Sequence, residues 1–362
     1  MKAWVLHEIG NMTLDEKPLP EVGASETLVE VKAAGICGSD IPRMYVTGAH
    51  KLPLTIGHEF SGVDTQTGKR VGIFPLIPCK ECGPCKNGQY EMCRKYSYLG
   101  SRTDGGFAEY VAVPKWNLIE LPQEVSFEEA AMLEPMAVAV HAMRQIPYFR
   151  EEAQAHHEAQ GAAHEDGKPC RKTACIYGAG TIGTLLTMFL LARGDVNVLV
   201  IGNKDFQKRK LIEIGLGSEM YCDSRTQDLA SFVAEHTGGV GADFFFECIG
   251  KNESICDSVN MTKPYGDICF VGNPYSDMEF PKDTYWKILR NQLHIYGTWN
   301  SSFLGEGNTD DDWKTVLRYL KEGKVTPAKL ITHKLAMEDL LQGFEVMHEK
   351  KEDYIKVMMV RE

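Results

Sequence analysis

No apolar run in this 362-residue chain approaches the ~20 residues that a helix needs to cross a bilayer. A secretory leader is also missing, since the opening MKAWVLHEIG has no basic-then-apolar layout. Positive charge is scarce: 39 Lys and Arg stand against 50 Asp and Glu, for a net charge of −11. That balance argues against a nucleic-acid or anionic-membrane partner, which would be repelled. An even cysteine set is lacking as well. Eleven cysteines without an export signal point to thiols or metal ligands in a cytoplasmic protein, not to a disulfide framework. Internal repeats are absent.

What is present falls into stretches of different character. Residues 1–146 carry short apolar runs such as TLVEVKAAGI and FAEYVAV, broken by glycines and prolines, which predicts a β-rich domain. Residues 147–172 are polar and read as a linker or insertion, whose His156, His157 and His164 sit in a solvated segment. From Thr173 to about residue 294, strand-like runs (ACIYG, VLVIG, GADFFFECI, GDICFVG) alternate with helical stretches. That alternation predicts a doubly wound parallel sheet. Residues 295–362 add two helix candidates and a closing strand, YIKVMMV. Of the eleven cysteines, Cys170, Cys175, Cys222, Cys248, Cys256 and Cys269 are scattered, and most read as inert buried thiols.

The other five lie before residue 94. CKECGPCKNGQYEMC places Cys79, Cys82, Cys85 and Cys93 in one tight loop. Four soft donors at that spacing suit a closed tetrahedral Zn²⁺ site with a structural role. An iron–sulfur cluster is the main rival, and a pair of disulfides a weaker one. Upstream, GICGSD supplies Cys37 and GHEF supplies His58 and Glu59. Three such donors leave a coordination position open, the layout of a catalytic zinc. Glu134, opening the helical LEPMAVAVHA, is either a fourth donor or an acid complementing the helix dipole.

YGAGTIG contributes Gly178, Gly180, Thr181, Ile182 and Gly183 between a strand and a helix, the setting in which G-x-G-x-x-G binds a dinucleotide pyrophosphate. The acid that reads the ribose 2′-OH of NAD is missing. VLVIGNKDFQKRK ends its strand in Gly202, followed by Asn203 and Lys204, with Arg209 a turn later. A glycine there leaves room for a 2′-phosphate and the cations attract it, so NADP(H) is expected as the preferred cofactor. If those cations form only a solvated helix face, NAD(H) is accepted too.

These motifs, in this order, resemble the zinc-dependent medium-chain alcohol dehydrogenases over nearly the whole chain outside 147–172. HE paired with LEP looks like the polyol branch. CGSDIPRMYVTGAH, PLTIGHEFSG, YLGSRTDGGFAEY and WKILRNQL are similar to the galactitol-1-phosphate 5-dehydrogenases. The resemblance implies an α/β chain: a GroES-like β-barrel catalytic domain, completed by the C-terminal segment, plus an inserted Rossmann domain. The active site would lie in the cleft, with Cys37, His58, Glu59 and Glu134 around a catalytic zinc and two zinc ions per chain. The metal would acidify a secondary alcohol that gives its hydride to the nicotinamide. Ser39 matches the family's relay hydroxyl, or else merely caps the next turn. Arg43, His50 and Arg102 are candidates for a substrate phosphate, or else ordinary surface charges. A small-molecule polyol or sugar-phosphate substrate and a homodimer or homotetramer, with LHIYGTW near the interface, complete the expectation. A dehydrogenase of unphosphorylated polyols and a non-catalytic nucleotide-binding protein are the rival readings.

Overall fold

The computed structural model of the chain describes residues 1–150, 171–305, 307–308 and 310–361, and the chain divides into two units. The first comprises Met1–Ala137 and Ser301–Glu362. Its seven-stranded sheet is centred on the long strand Glu26–Ile36, in which buried and half-exposed residues alternate from Glu26 to Ala33 before the strand becomes wholly buried. That period-2 pattern sets one face against the core. Glu59–Asp64 and the closing strand Lys356–Val360 both pair antiparallel with it, Gly35 standing opposite Glu59 and Met358. The core beneath gathers Val29, Val31, Phe60, Phe107, Phe344 and Val357.

The second unit, Val138–Asn300, holds a six-stranded sheet in which every pairing is parallel. In space the strands run Tyr221–Asp223, Val196–Gly202, Lys172–Tyr177, Ala242–Glu247, Thr262–Phe270 and His294–Gly297. Numbered along the chain that order is 3-2-1-4-5-6, the Rossmann arrangement, with its switch point between the first and fourth strands. Strands covered on both faces should carry continuous apolar runs, and VLVI within VNVLVIG and FFF within ADFFFE are such runs, buried throughout.

Two borders differ from the sequence expectation. His294–Gly297 pairs with Thr262–Phe270, so the return to the first unit comes after Asn300 and not at residue 295. The polar segment does not begin at residue 147: Phe149 is buried and its ring packs 4.7 Å from that of Phe244. Residues 151–170, with the three histidines and Cys170, lie outside the described residues. Among the described residues no helix is long and apolar enough to cross a membrane, and no cysteine is disulfide-bonded.

Candidate active site and cofactor site

The strand Glu26–Ile36 runs out into Cys37, and the strand Glu59–Asp64 begins directly after His58. Because the two strands are antiparallel neighbours, they deliver thiol, imidazole and carboxylate to one place. Donor atoms of Cys37, His58 and Glu59 all lie within 4.8 Å of one another. His58 and Glu59 are buried, 5% and 1% exposed. Burial alone would push the His58 pKa down. The negative charges of Asp40 and Cys37 outweigh it and hold His58 well above its ordinary value, so the pocket is electronegative and favours a cation.

Asp40, which sequence reasoning left without a role, organises this corner. Wholly buried, it accepts a hydrogen bond from the Cys37 amide at 3.0 Å and ion-pairs with Arg43. Its Oδ1 lies 3.5 Å from His58 Nδ1, an atom with no well-formed hydrogen bond of its own. A carboxylate behind a metal-binding imidazole orients the ring and raises its basicity. The signal in the sequence was an acid three residues after the cysteine.

Ser39 makes no side-chain cap to the short helix Asp40–Pro42; its hydroxyl donates instead to Cys37 Sγ at 3.4 Å. Glu134 is not within the cluster of three. It accepts a hydrogen bond from Tyr98 Oη at 3.1 Å, and burial together with the Glu59 charge raises its pKa to about 7, against the pull of His58 and Lys356. Tyr98 itself sets an edge against the His58 ring, with centroids 5.8 Å apart. Glu59 is paired with Lys356, a second residue that the sequence did not flag.

The candidate phosphate groups are placed unevenly. Arg43 is engaged by Asp40. Arg102 donates to the Tyr96 carbonyl at 3.0 Å and lies 4.2 Å over the Tyr96 ring. His50 is exposed.

In the cysteine loop, the sulfurs of Cys79, Cys82, Cys85 and Cys93 lie within 4.8 Å of one another. Backbone N–H groups of Arg94 and Cys85 lower the Cys82 thiol to about 6, while burial and neighbouring thiols push Cys85 up to about 12. Four converging sulfurs that cannot all ionise alone become a matched set around a divalent ion, and the donor chemistry fits zinc.

At the glycine turn each glycine has its own reason. Gly178 has φ +114°, and a Cβ there would meet the Ile249 side chain at 2.8 Å. A Cβ on Gly183 would lie 1.9 Å from the Gly178 carbonyl, so this glycine permits helix Thr181–Arg193 to approach the strand. Nothing lies within 4 Å of a Cβ on Gly180, which leaves the helix N-terminus open to an anion. Thr181 and Ile182 form its first turn, half-buried.

The strand end at Gly202 corrects one expectation. The space there is not empty: a Cβ would meet Tyr221 Oη at 2.5 Å. Tyr221 donates to the Lys204 carbonyl at 3.2 Å and accepts from the Lys204 amide at 3.4 Å. Asn203 is exposed. The cation nearest this tyrosine's ring face is Lys208, at 5.7 Å, whereas Arg209 lies over Phe206.

Comparison with known proteins bears on both sites. Residues 23–123 match the alcohol dehydrogenase GroES-like domain, and residues 181–322 match the zinc-binding dehydrogenase model. The galactitol 1-phosphate 5-dehydrogenase of Escherichia coli strain K12 is 32% identical over 359 residues, covering 95% of each chain. The chain belongs to the zinc-dependent medium-chain alcohol and polyol dehydrogenase family. It is therefore similar also to the L-idonate 5-dehydrogenase of Vitis vinifera, at 30% identity over 95% of this chain and 90% of that one. The crystal structure of galactitol-1-phosphate dehydrogenase from Escherichia coli shares its fold, with a TM-score of 0.84, 29% identity and full coverage of both chains. As a member of this family the protein is an oxidoreductase, which sets aside the non-catalytic reading.

Proposed function

We propose that this dehydrogenase interconverts the secondary alcohol of a polyol phosphate and the corresponding ketose phosphate, with NADP(H) as the preferred hydride carrier. The observation that carries the chemistry is the convergence of Cys37, His58 and Glu59 in a buried, electronegative pocket with Glu134 close by. Zinc held there would supply Lewis acidity toward the substrate hydroxyl. The chain's own residues do the rest. Asp40 orients His58, and Ser39 stands at Cys37 Sγ, where it can pass on a proton from the substrate hydroxyl. The loop sulfurs would hold a second, structural zinc.

The phosphate reading is supported by Arg43 and Arg102, in loops that match the galactitol-phosphate relatives. One observation favours an unphosphorylated polyol instead: both guanidinium groups already have protein partners. For the cofactor, Gly202 replaces the NAD-type acid and is followed by Asn203 and Lys204, the Lys204 backbone bonds the Tyr221 hydroxyl, and Lys208 Nζ lies 5.7 Å from the centre of the Tyr221 ring. Arg209 is a more distant support.

A matrix of galactitol 1-phosphate, galactitol and sorbitol against NADP⁺ and NAD⁺, with and without a chelator, tests the reading. Equal kcat/KM with and without phosphate would sink the substrate assignment, and a preference for NAD⁺ would sink the cofactor assignment. The absence of disulfides among the described cysteines supports a cytoplasmic setting. A homodimer or homotetramer is supported by the edge strand His294–Gly297, where Ile295 is 40% exposed and the nearby Trp299 57% exposed. Light scattering of the purified protein would decide the assembly.

A further inference from the structure

Arg225 stands just past the strand Tyr221–Asp223, which the parallel sheet lays beside the end of Val196–Gly202. Gly202 and Asp223 are register partners. Partners in neighbouring strands send their side chains to the same face, about 4.8 Å apart. The strand end that lacks its NAD-type acid at Gly202 therefore has a carboxylate one strand over. A second follows at Asp205, the first residue of helix Asp205–Glu213.

Arg225 takes up both. Its Nε donates to Asp223 Oδ1 at 2.9 Å, and its Nη2 donates to Asp223 Oδ2 at 2.6 Å and to Asp205 Oδ1 at 2.7 Å. The Arg225 amide adds a bond to Asp223 Oδ1 at 3.0 Å. The turn is held in place by the Ser224 amide, which donates to the Gly202 carbonyl at 2.9 Å. The Arg225 side chain is 48% exposed and that of Asp205 76%, so their bond adds little to stability. Its consequence is the charge shown to a ligand. Lys204, Lys208 and Arg225 set three positive charges against the two negative charges of Asp205 and Asp223. Without Arg225 the balance is even.

We propose that Arg225 is a specificity-determining residue of the cofactor site: by pairing with Asp223 and Asp205 it cancels the two carboxylates that flank Gly202 and so admits a 2′-phosphate. This deepens the NADP(H) reading given above and rests on it. A ribose 2′-OH carries no charge and can donate to a carboxylate, so NAD(H) gains nothing from the cancellation. The phosphate of NADP(H) would be repelled by each unpaired carboxylate.

The test is fluorescence titration of the full-length protein with NADPH and NADH, in low salt and again in high salt. Arg225→Gln is expected to raise the Kd for NADPH about tenfold and to leave that for NADH within about twofold. High salt should shrink the difference, because exposed charges are screened. Adding Asp223→Asn and Asp205→Asn should return the NADPH Kd to within about threefold of wild type, since the repulsion goes with the acids. An NADPH Kd unmoved by Arg225→Gln would overturn the proposal. So would equal losses for both cofactors, or a loss that removing the acids does not reverse. If Arg225→Gln does not fold, Asp223→Asn with Asp205→Asn in the presence of Arg225 decides. NADPH should then bind several-fold more tightly, with the guanidinium released, and an unchanged or weaker affinity overturns the proposal. Failure of the underlying NADP(H) reading would look different: wild type would bind NADH more tightly than NADPH, whatever the variants do.

Discussion

Replacing Gly202 by Asp is the obvious way to convert an NADP-type strand end into an NAD-type one, and the structure predicts that it will first cost stability. The new Cβ would lie 2.5 Å from Tyr221 Oη and 3.0 Å from Tyr221 Cε2, inside any real contact distance. Tyr221 is 3% exposed, so its ring cannot simply swing into solvent. Moving it breaks the bonds to the Lys204 amide and carbonyl, about 1 kcal/mol each. Overpacking a filled site adds about 1–3 kcal/mol. The sum, roughly 3–5 kcal/mol, corresponds to a fall in Tm of about 6–20 °C for a unit of this size. Thermal unfolding of the cofactor-free protein measures it. Adding Tyr221→Phe removes the closest clash and should recover part of the loss, because the ring carbons at 3.0 and 3.1 Å remain. A Gly202→Asp protein melting within about 2 °C of wild type would refute the packing argument. The cofactor question is better put by Lys204→Ala, which should raise the Kd for NADPH by about tenfold or more while leaving that for NADH nearly unchanged, read by fluorescence titration. Equal losses for both cofactors would count against a 2′-phosphate site.

Cys37→Ala should abolish turnover and remove one metal equivalent, while Cys82→Ala should chiefly lower Tm; metal analysis and calorimetry separate the two, and an active Cys37→Ala would refute the site. Asp40→Asn should weaken metal binding about 10–100-fold in chelator competition, because His58 loses its anionic partner; unchanged affinity would show that Asp40 serves only to bind Arg43. Ser39→Ala should lower kcat by about 10²-fold if the hydroxyl relays the proton, with Tm unchanged. Arg225 holds the Asp223 pKa at about 2, below its ordinary value of 3.8. Between those values the unfolded chain binds more protons, so this stability is present above pH ~4 and is lost as pH falls toward 2. Asp223→Asn should flatten that part of an acid-unfolding curve, and an unaltered slope would refute the pairing.

Much was legible along the chain because the chemistry depends on neighbours in sequence. The four cysteines sit within one loop, the glycine turn joins one strand to one helix, Cys37 directly follows the strand-like run TLVEVKAAGI, and His58 and Glu59 are adjacent in GHEF. Borders were less legible. Phe149 reads as part of a polar segment until the packing partner Phe244 is placed beside it, about a hundred residues away. The fate of Arg43 could not be read, because the burial of Asp40 is a property of the folded domain.

The sequence by itself therefore specified the donor types, the glycine fingerprint and the two-domain plan, since each is carried by local spacing and periodicity. Tertiary structure alone decided what occupies the space beside those residues. Tyr221 fills the gap at Gly202 because parallel pairing sets Tyr221–Asp223 beside the end of Val196–Gly202. Lys356 reaches Glu59 because the closing strand, 297 residues further on, pairs with the strand next to it. Side-chain chemistry is written in order along the chain; which charges and rings share a buried space depends on how distant strands are laid side by side.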